Sequence, residues 1–111
     1  MLVLGLAYKK DIDDVRESPS LELIELLKAK GALVDYNDPH VPRTHRMRDY
    51  DLKMTSVPID GDALARYDAV LIATDHSAYD YASIVERSRL VVDTRGATRG
   101  VRGAERKVVR A

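Results

Sequence analysis

The chain contains no cysteine, no phenylalanine and no tryptophan. Without cysteine it has no disulfides, no thiolate metal ligands and no cysteine nucleophile. Its six tyrosines are the only large aromatics, a poor set for stacking the bases of a single strand. A charge imbalance is missing too. Eighteen Lys and Arg balance eighteen Asp and Glu, so no overall field points to nucleic acid or to an anionic membrane. No apolar run approaches the roughly 20 residues of a membrane span, and no signal-peptide pattern opens the chain. Neither a nucleic-acid nor a membrane partner is expected, and the expected location is cytoplasmic. At 111 residues the chain is one small domain, large enough for one core but not for a cofactor domain and a substrate domain together.

What is present is an alternation of short apolar runs with polar breaks. Leu2 to Leu6 is too short for a helix and reads as a strand buried on both faces. Met1 abuts it with no polar lead-in, as if the start had been cut from a longer chain or re-engineered. Ser18 is a good helix N-cap and Pro19 suits the first helical position. Leu23, Ile24 and Leu27, with Ser20 and Leu21, form a helical stripe that Gly31 ends after Lys28 and Lys30. Ala32 to Tyr36 reads as a second strand. Residues 39–58 read as a long surface loop with a short strand near Met54–Val57. A short helix over 62–67 can be capped by Asp60 or Asp62. Ala69 to Ala73 is the third strand, Tyr79 to Arg87 a helix, and Leu90 to Val92 the fourth strand. Val108 and Val109 form either a last edge strand or a tail. Alternating strands and helices predict an α/β fold: a doubly wound, mostly parallel, Rossmann-like sheet in a three-layer sandwich.

Ligands of such sheets sit beyond the C-terminal strand ends. Those ends are 5–9, Asn37-Asp38, Thr74-Asp75-His76 and Asp93-Thr94-Arg95, polar almost throughout. The first turn reads GLAYKK, not the GxGxxG of a dinucleotide site. Asp38 stands where such a fold holds the ribose hydroxyls, but without those glycines an NAD site here has little support, and Asp38-Pro39 equally makes a turn. Lys9 and Arg16 flank the first strand–helix connection. Two cations there suit a bound phosphate or carboxylate, or they pair with Asp11, Asp13, Asp14 or Glu17 on the surface. Arg95 either reaches the same crevice or is solvated. The acidic run of Asp11, Asp13 and Asp14 invites a metal, but an EF-hand glycine at the sixth position is absent. His40, His45 and His76 fall into no zinc-type spacing. No metal site is expected, and the histidines read as surface or loop residues.

The stretch VLGLAYKKDIDDVRESPSLELIELLKAKGALVDYNDPHVP, with VLIATDHSAYD and VVDTRGATRG after it, resembles the C-terminal domain of the nucleotide-sugar 6-dehydrogenases. These are the UDP-glucose/GDP-mannose dehydrogenase family, and the tail is most similar to the branch that oxidises UDP-N-acetylhexosamines. The likeness spans nearly the whole chain, 1–111, and implies a three-part enzyme. An NAD-binding domain and a central helical domain, which carries the dimer helix and catalytic residues, would precede a domain like this one that closes over the UDP-sugar. It implies oxidation of a C6 alcohol to a uronic acid in two hydride transfers, through a thioester on a cysteine. By the same likeness Tyr8, Lys9 and Arg95 contact the substrate and Arg16 reaches toward NAD, while the catalytic residues lie elsewhere. Other expectations are a standalone nucleotide-binding module and, with misplaced charges, a receiver-like signalling domain.

Overall fold

The computed structural model describes residues 1–7, 19–44, 54–60 and 62–110. Five strands form one sheet: β1 (Leu2–Leu4), β2 (Asp35–Asn37), β3 (Val70–Ile72), β4 (Val91–Asp93) and β5 (Val108–Arg110). The order is β2-β1-β3-β4-β5 and every pairing is parallel. The last segment is therefore a true edge strand. The connection α1 (Pro19–Ala29) leads to one side of β1, and α2 (Tyr81–Arg87) winds the other way, from β3 to β4. The direction of winding reverses between β1 and β3, which makes that crevice the topological switch point.

Side-chain alternation on the central strands builds the two apolar layers. Val3, Tyr36 and Leu71 face Leu21 and Ile24 of α1. Leu2, Leu4, Val70, Ile72 and Val91 face Leu64 and Ile84, from a 3₁₀ turn (Ala63–Arg66) and from α2. All three β1 side chains are fully buried, each contributing about 1.5–3 kcal/mol relative to exposure. The expected three-layer α/β sandwich is thus present.

Local chemistry explains where elements begin and end. Helix α1 starts at Pro19; the expected cap, Ser18, lies outside the described residues. The helix closes on Gly31, which has φ +90°. Gly31 N–H donates to Lys28 C=O and Ala32 N–H to Leu27 C=O, both at 3.0 Å, the paired bonds of a Schellman stop. This exit uses residues 32–34, so β2 is later than the apolar run indicates. Leu33 is 90% exposed. Near Met54–Val57 there is no strand but one antiparallel bridge, Arg43 to Thr55. Val57 N–H donates to Tyr36 C=O at 2.8 Å, tying this segment to the edge of β2. The expected side-chain cap of the 62–67 segment is absent: Asp62 makes no capping bond, and Asp60 serves through its carbonyl, which accepts from Ala63 N–H. Helix α2 begins two residues later than expected because the Asp80 carboxylate accepts from Ser83 N–H at 3.2 Å.

Candidate functional site

The C-terminal strand ends converge on one polar edge. Gly5, at φ +93°, turns the chain out of β1 while its N–H donates to Asn37 C=O at 2.8 Å. The Leu4 carbonyl accepts from both Ala73 N–H and Thr74 N–H, at 2.9 and 3.1 Å. Thr74 Oγ1 donates to Ala7 C=O at 2.8 Å. The ends of β1, β2 and β3 are therefore bonded to one another beyond the sheet.

Asp38 is the centre of this edge and is 2% exposed. Its Oδ2 accepts from Leu6 N–H at 2.7 Å, from Ala7 N–H at 3.0 Å and from His76 Nε2 at 2.8 Å. Its Oδ1 accepts from His40 N–H at 2.8 Å, closing an Asx turn at Asp38-Pro39. The expected turn role of Asp38 is therefore real but secondary. The carboxylate is buried and hydrogen-bonded within the domain, so it does not face a ribose. Among the described residues, Asp38 therefore does not take the ribose-binding part that its position has in a dinucleotide fold.

His76 is fully buried, which corrects the expectation of a surface histidine. With Asp38 as acceptor, Nε2 carries the proton of this bond. The His76 ring lies 4.7 Å from that of His40 and 5.9 Å from that of Tyr79. Tyr81 donates its hydroxyl to His76 C=O, and Tyr79 to Asn37 C=O, both at 2.7 Å. Burial, then the Asp38 charge, push the Tyr79 hydroxyl well above its ordinary value. The same two causes push Tyr36 up to about 12.

A second carboxylate organises the loop after β4. Asp93 Oδ1 accepts from Arg95 and Ala97 N–H at 3.0 and 3.2 Å, and Oδ2 from Thr98 N–H and Oγ1 at 2.9 and 2.7 Å. Burial raises the Asp93 carboxyl, but the bonds from Thr98, Arg95 and Ala97 outweigh it and leave the group below its ordinary range. Arg95 is thereby placed at the edge, with Nε donating to Ala73 C=O at 2.9 Å.

Of the residues singled out in the sequence, Arg95 lies at the polar edge as expected. Tyr8, Lys9 and Arg16, like Asp11, Asp13, Asp14 and His45, lie outside the described residues. Ala7, bonded to both Asp38 and Thr74, leads directly into Tyr8 and Lys9. Sequence reasoning missed the roles of His76, Tyr79 and Tyr81. The signal available for them was only that TDHSAYDY follows a central strand. No cluster of metal-ligating side chains exists among the described residues, and no described helix is long and apolar enough to cross a membrane. A cleft of about 620 Å³ lies at the opposite end of the sheet, lined by Asp35, Val57, Asp60, Asp62, Arg66 and Tyr67 among others. Its size does not make it the site, because the buried polar groups converge at the other edge.

Comparison with known proteins shows the family to which the chain belongs. The sequence model described as "UDP-glucose/GDP-mannose dehydrogenase family, UDP binding domain" matches residues 2–100. A UDP-glucose 6-dehydrogenase of Haloferax volcanii is 40% identical over 96 residues, covering 84% of this chain and 22% of that protein. A UDP-N-acetyl-D-mannosamine dehydrogenase of Pyrococcus horikoshii is 33% identical, covering 84% of this chain and 21% of the relative. Among solved structures, the UDP-N-acetyl-mannosamine dehydrogenase Cap5O from S. aureus superposes with a TM-score of 0.68 at 26% identity, over 98% of this chain and 25% of that one. The chain thus spans about a fifth to a quarter of the length of these relatives.

Proposed function

Because the chain belongs to the UDP-glucose/GDP-mannose dehydrogenase family, as its UDP-binding domain, we propose that it is the substrate-nucleotide domain of an NAD-dependent nucleotide-sugar 6-dehydrogenase. The whole enzyme converts the sugar C6 alcohol to a uronic acid by two hydride transfers. This domain supplies cations to the UDP moiety: Lys9 and Arg95, with Tyr8 against the sugar or base. Arg16 extends toward NAD, which an NAD-binding domain of the full protein holds. The thiol needed for a thioester also belongs to another part of that protein, since this chain has no cysteine. The partners are the NAD-binding and central domains, in a cytoplasmic dimer.

The observation that carries this reading is the convergence of Ala7, Thr74, Asp38 and Arg95 on one edge at the switch point. The edge is polar, and it presents a guanidinium fixed through Nε. A fixed guanidinium matches diphosphate oxygens well. An isolated domain offers one wall of a two-sided cleft, so UDP binds it weakly. Each missing charge-assisted hydrogen bond costs about 1.5–3 kcal/mol, roughly ten- to a hundredfold in affinity. The test is an NMR titration of the 111-residue chain with UDP. Shifts at residues 5–10 and 93–96 that fade with salt support the proposal. Shifts centred on 40–45, or none, overturn it.

A further inference from the structure

We propose that Asp38 and His76 are a positioning pair. They fix the backbone at Leu6 and Ala7, the two residues that precede the proposed nucleotide contacts Tyr8 and Lys9 in the chain. The inference rests on the UDP-binding reading above and deepens it.

The turn after β1 leaves the sheet at Gly5, and the next two main-chain donors are Leu6 N–H and Ala7 N–H. Buried main-chain donors need acceptors, and both Leu6 and Ala7 are buried. Asp38, arriving from the end of β2, supplies one oxygen to both, at 2.7 and 3.0 Å. That same Oδ2 takes a third donor, His76 Nε2, from beyond β3. Three donors on one oxygen suit an ionised carboxylate. A neutral amide would turn its own NH₂ toward some of these donors.

His76 in turn is walled by the rings of His40 and Tyr79, and its carbonyl is held by Tyr81. It therefore has little room to rotate and holds Oδ2 toward the β1 turn. Thr74 Oγ1 grips the other side of the same peptide stretch, at Ala7 C=O. The backbone at Leu6 and Ala7 is thus held from the ends of β2 and β3, on both sides of β1. Such support keeps a ligand-contacting group within the narrow tolerance that binding requires. A buried pair that only filled space would not need to converge on the two amides next to the proposed contacts.

The test uses the ¹⁵N-labelled chain titrated with UDP, with Asp38→Asn, His76→Leu, His76→Gln and, as a destabilised control away from the edge, Val85→Ala. Gln places an amide N–H near the position of His Nε2. The expected result is about tenfold or greater weakening for Asp38→Asn and His76→Leu, a loss within about threefold for His76→Gln, and little change for Val85→Ala. Amide exchange at Leu6 and Ala7 should rise in the first two variants more than at Val70. Three results overturn the proposal: Asp38→Asn and His76→Leu binding like the parent, His76→Gln binding as weakly as His76→Leu, or Val85→Ala losing as much as Asp38→Asn. Should Asp38→Asn fail to fold, through-hydrogen-bond couplings from the Leu6 and Ala7 amides to the Asp38 carboxylate decide in the parent chain: their presence supports the pair and their absence rejects it. If the parent chain itself shows no response to UDP, the functional reading fails. The exchange rates at Leu6 and Ala7 then judge the pair on their own.

Discussion

Gly5 lies so close to Thr74 that a Cβ at position 5 would sit 2.4 Å from Thr74 Cβ and 2.7 Å from its backbone nitrogen. The contact joins the turn after β1 to the end of β3, the two strands that flank the switch point.

Gly5→Ala therefore combines a left-handed backbone with a collision against main chain that cannot yield. Strain of about 1–2 kcal/mol and overpacking of about 1–3 kcal/mol give roughly 2–5 kcal/mol of destabilisation. Gly31 has a similar φ, but a Cβ there meets nothing within 4 Å. Gly31→Ala should cost only the strain, about 1–2 kcal/mol. Urea unfolding of the two variants checks the difference. Equal losses would show that Thr74 relaxes away from position 5.

The fold was legible where chemistry is local. Pro19 and Gly31 bound α1 through proline and glycine geometry, and short apolar runs marked the buried strands. The start of β2 was not legible, because Leu33 and Val34 look alike in sequence. One is 90% exposed and the other 8%, a difference made by the Schellman exit and not by hydrophobicity. The position of Arg95 at the polar edge was legible, because it follows a strand end. It was not legible at His76, whose partner Asp38 is 38 positions away in the chain. No spacing rule links the two, and only the sheet order brings them together.

Asp93 makes stability depend on acid. Its folded pKa is lowered, so its contribution is complete above the unfolded aspartate value of about 3.9 and is lost as pH falls through the lower folded value. The chain should lose stability below about pH 4, and Asp93→Asn should flatten that acid limb. At neutral pH Asp93→Asn should cost about 1.5–3 kcal/mol, because the group is 1% exposed and accepts several bonds. Chemical denaturation across the acid range measures both effects. An unchanged acid limb in Asp93→Asn would assign it to other carboxylates.

The tyrosines give the opposite, alkaline dependence. Tyr36 and Tyr67 are pushed up to about 12, both mainly by burial. For Tyr67 the hydrogen bond it donates to Asp35 Oδ2, at 2.7 Å, adds to this. Tyr79 is raised further. Unfolded tyrosine ionises near 10, so the folded state keeps protons that the unfolded state releases. Stability is complete below about pH 10 and falls as pH rises through the folded values. Tyrosinate absorbance should rise in a late step that coincides with loss of structure. A single step near 10 in a folded protein would contradict these environments.

Catalysis by this chain alone is not expected. It has no thiol for a thioester, and its first turn reads GLAYKK and not GxGxxG. NAD reduction with UDP-glucose or UDP-N-acetylmannosamine should stay at background for the purified 111-residue protein. Turnover that co-purifies with it would overturn the assignment of the nucleophile and cofactor to other domains. On the proposed reading, activity should appear only when the chain is joined to an NAD-binding domain and a cysteine-bearing central domain.

Arg95 separates charge from geometry at the binding edge. Its Nε donates to Ala73 C=O, which pins the planar group and, on the proposed UDP-binding reading, leaves its terminal nitrogens to meet the diphosphate. Lysine keeps the charge but has neither the fork nor the anchoring N–H. Arg95→Ala should weaken UDP binding by about ten- to a hundredfold, the value of one charge-assisted hydrogen bond. Arg95→Lys should bind close to the parent if charge alone contributes, and close to Ala if the pinned fork is what matters. Added salt discriminates further, since exposed charges are screened over about 8–10 Å. The parent should lose affinity with salt, and Arg95→Ala should lose proportionately less. Parent and Arg95→Ala binding UDP equally, with the same salt slope, would show that Arg95 is solvated and that the diphosphate is held elsewhere on the edge.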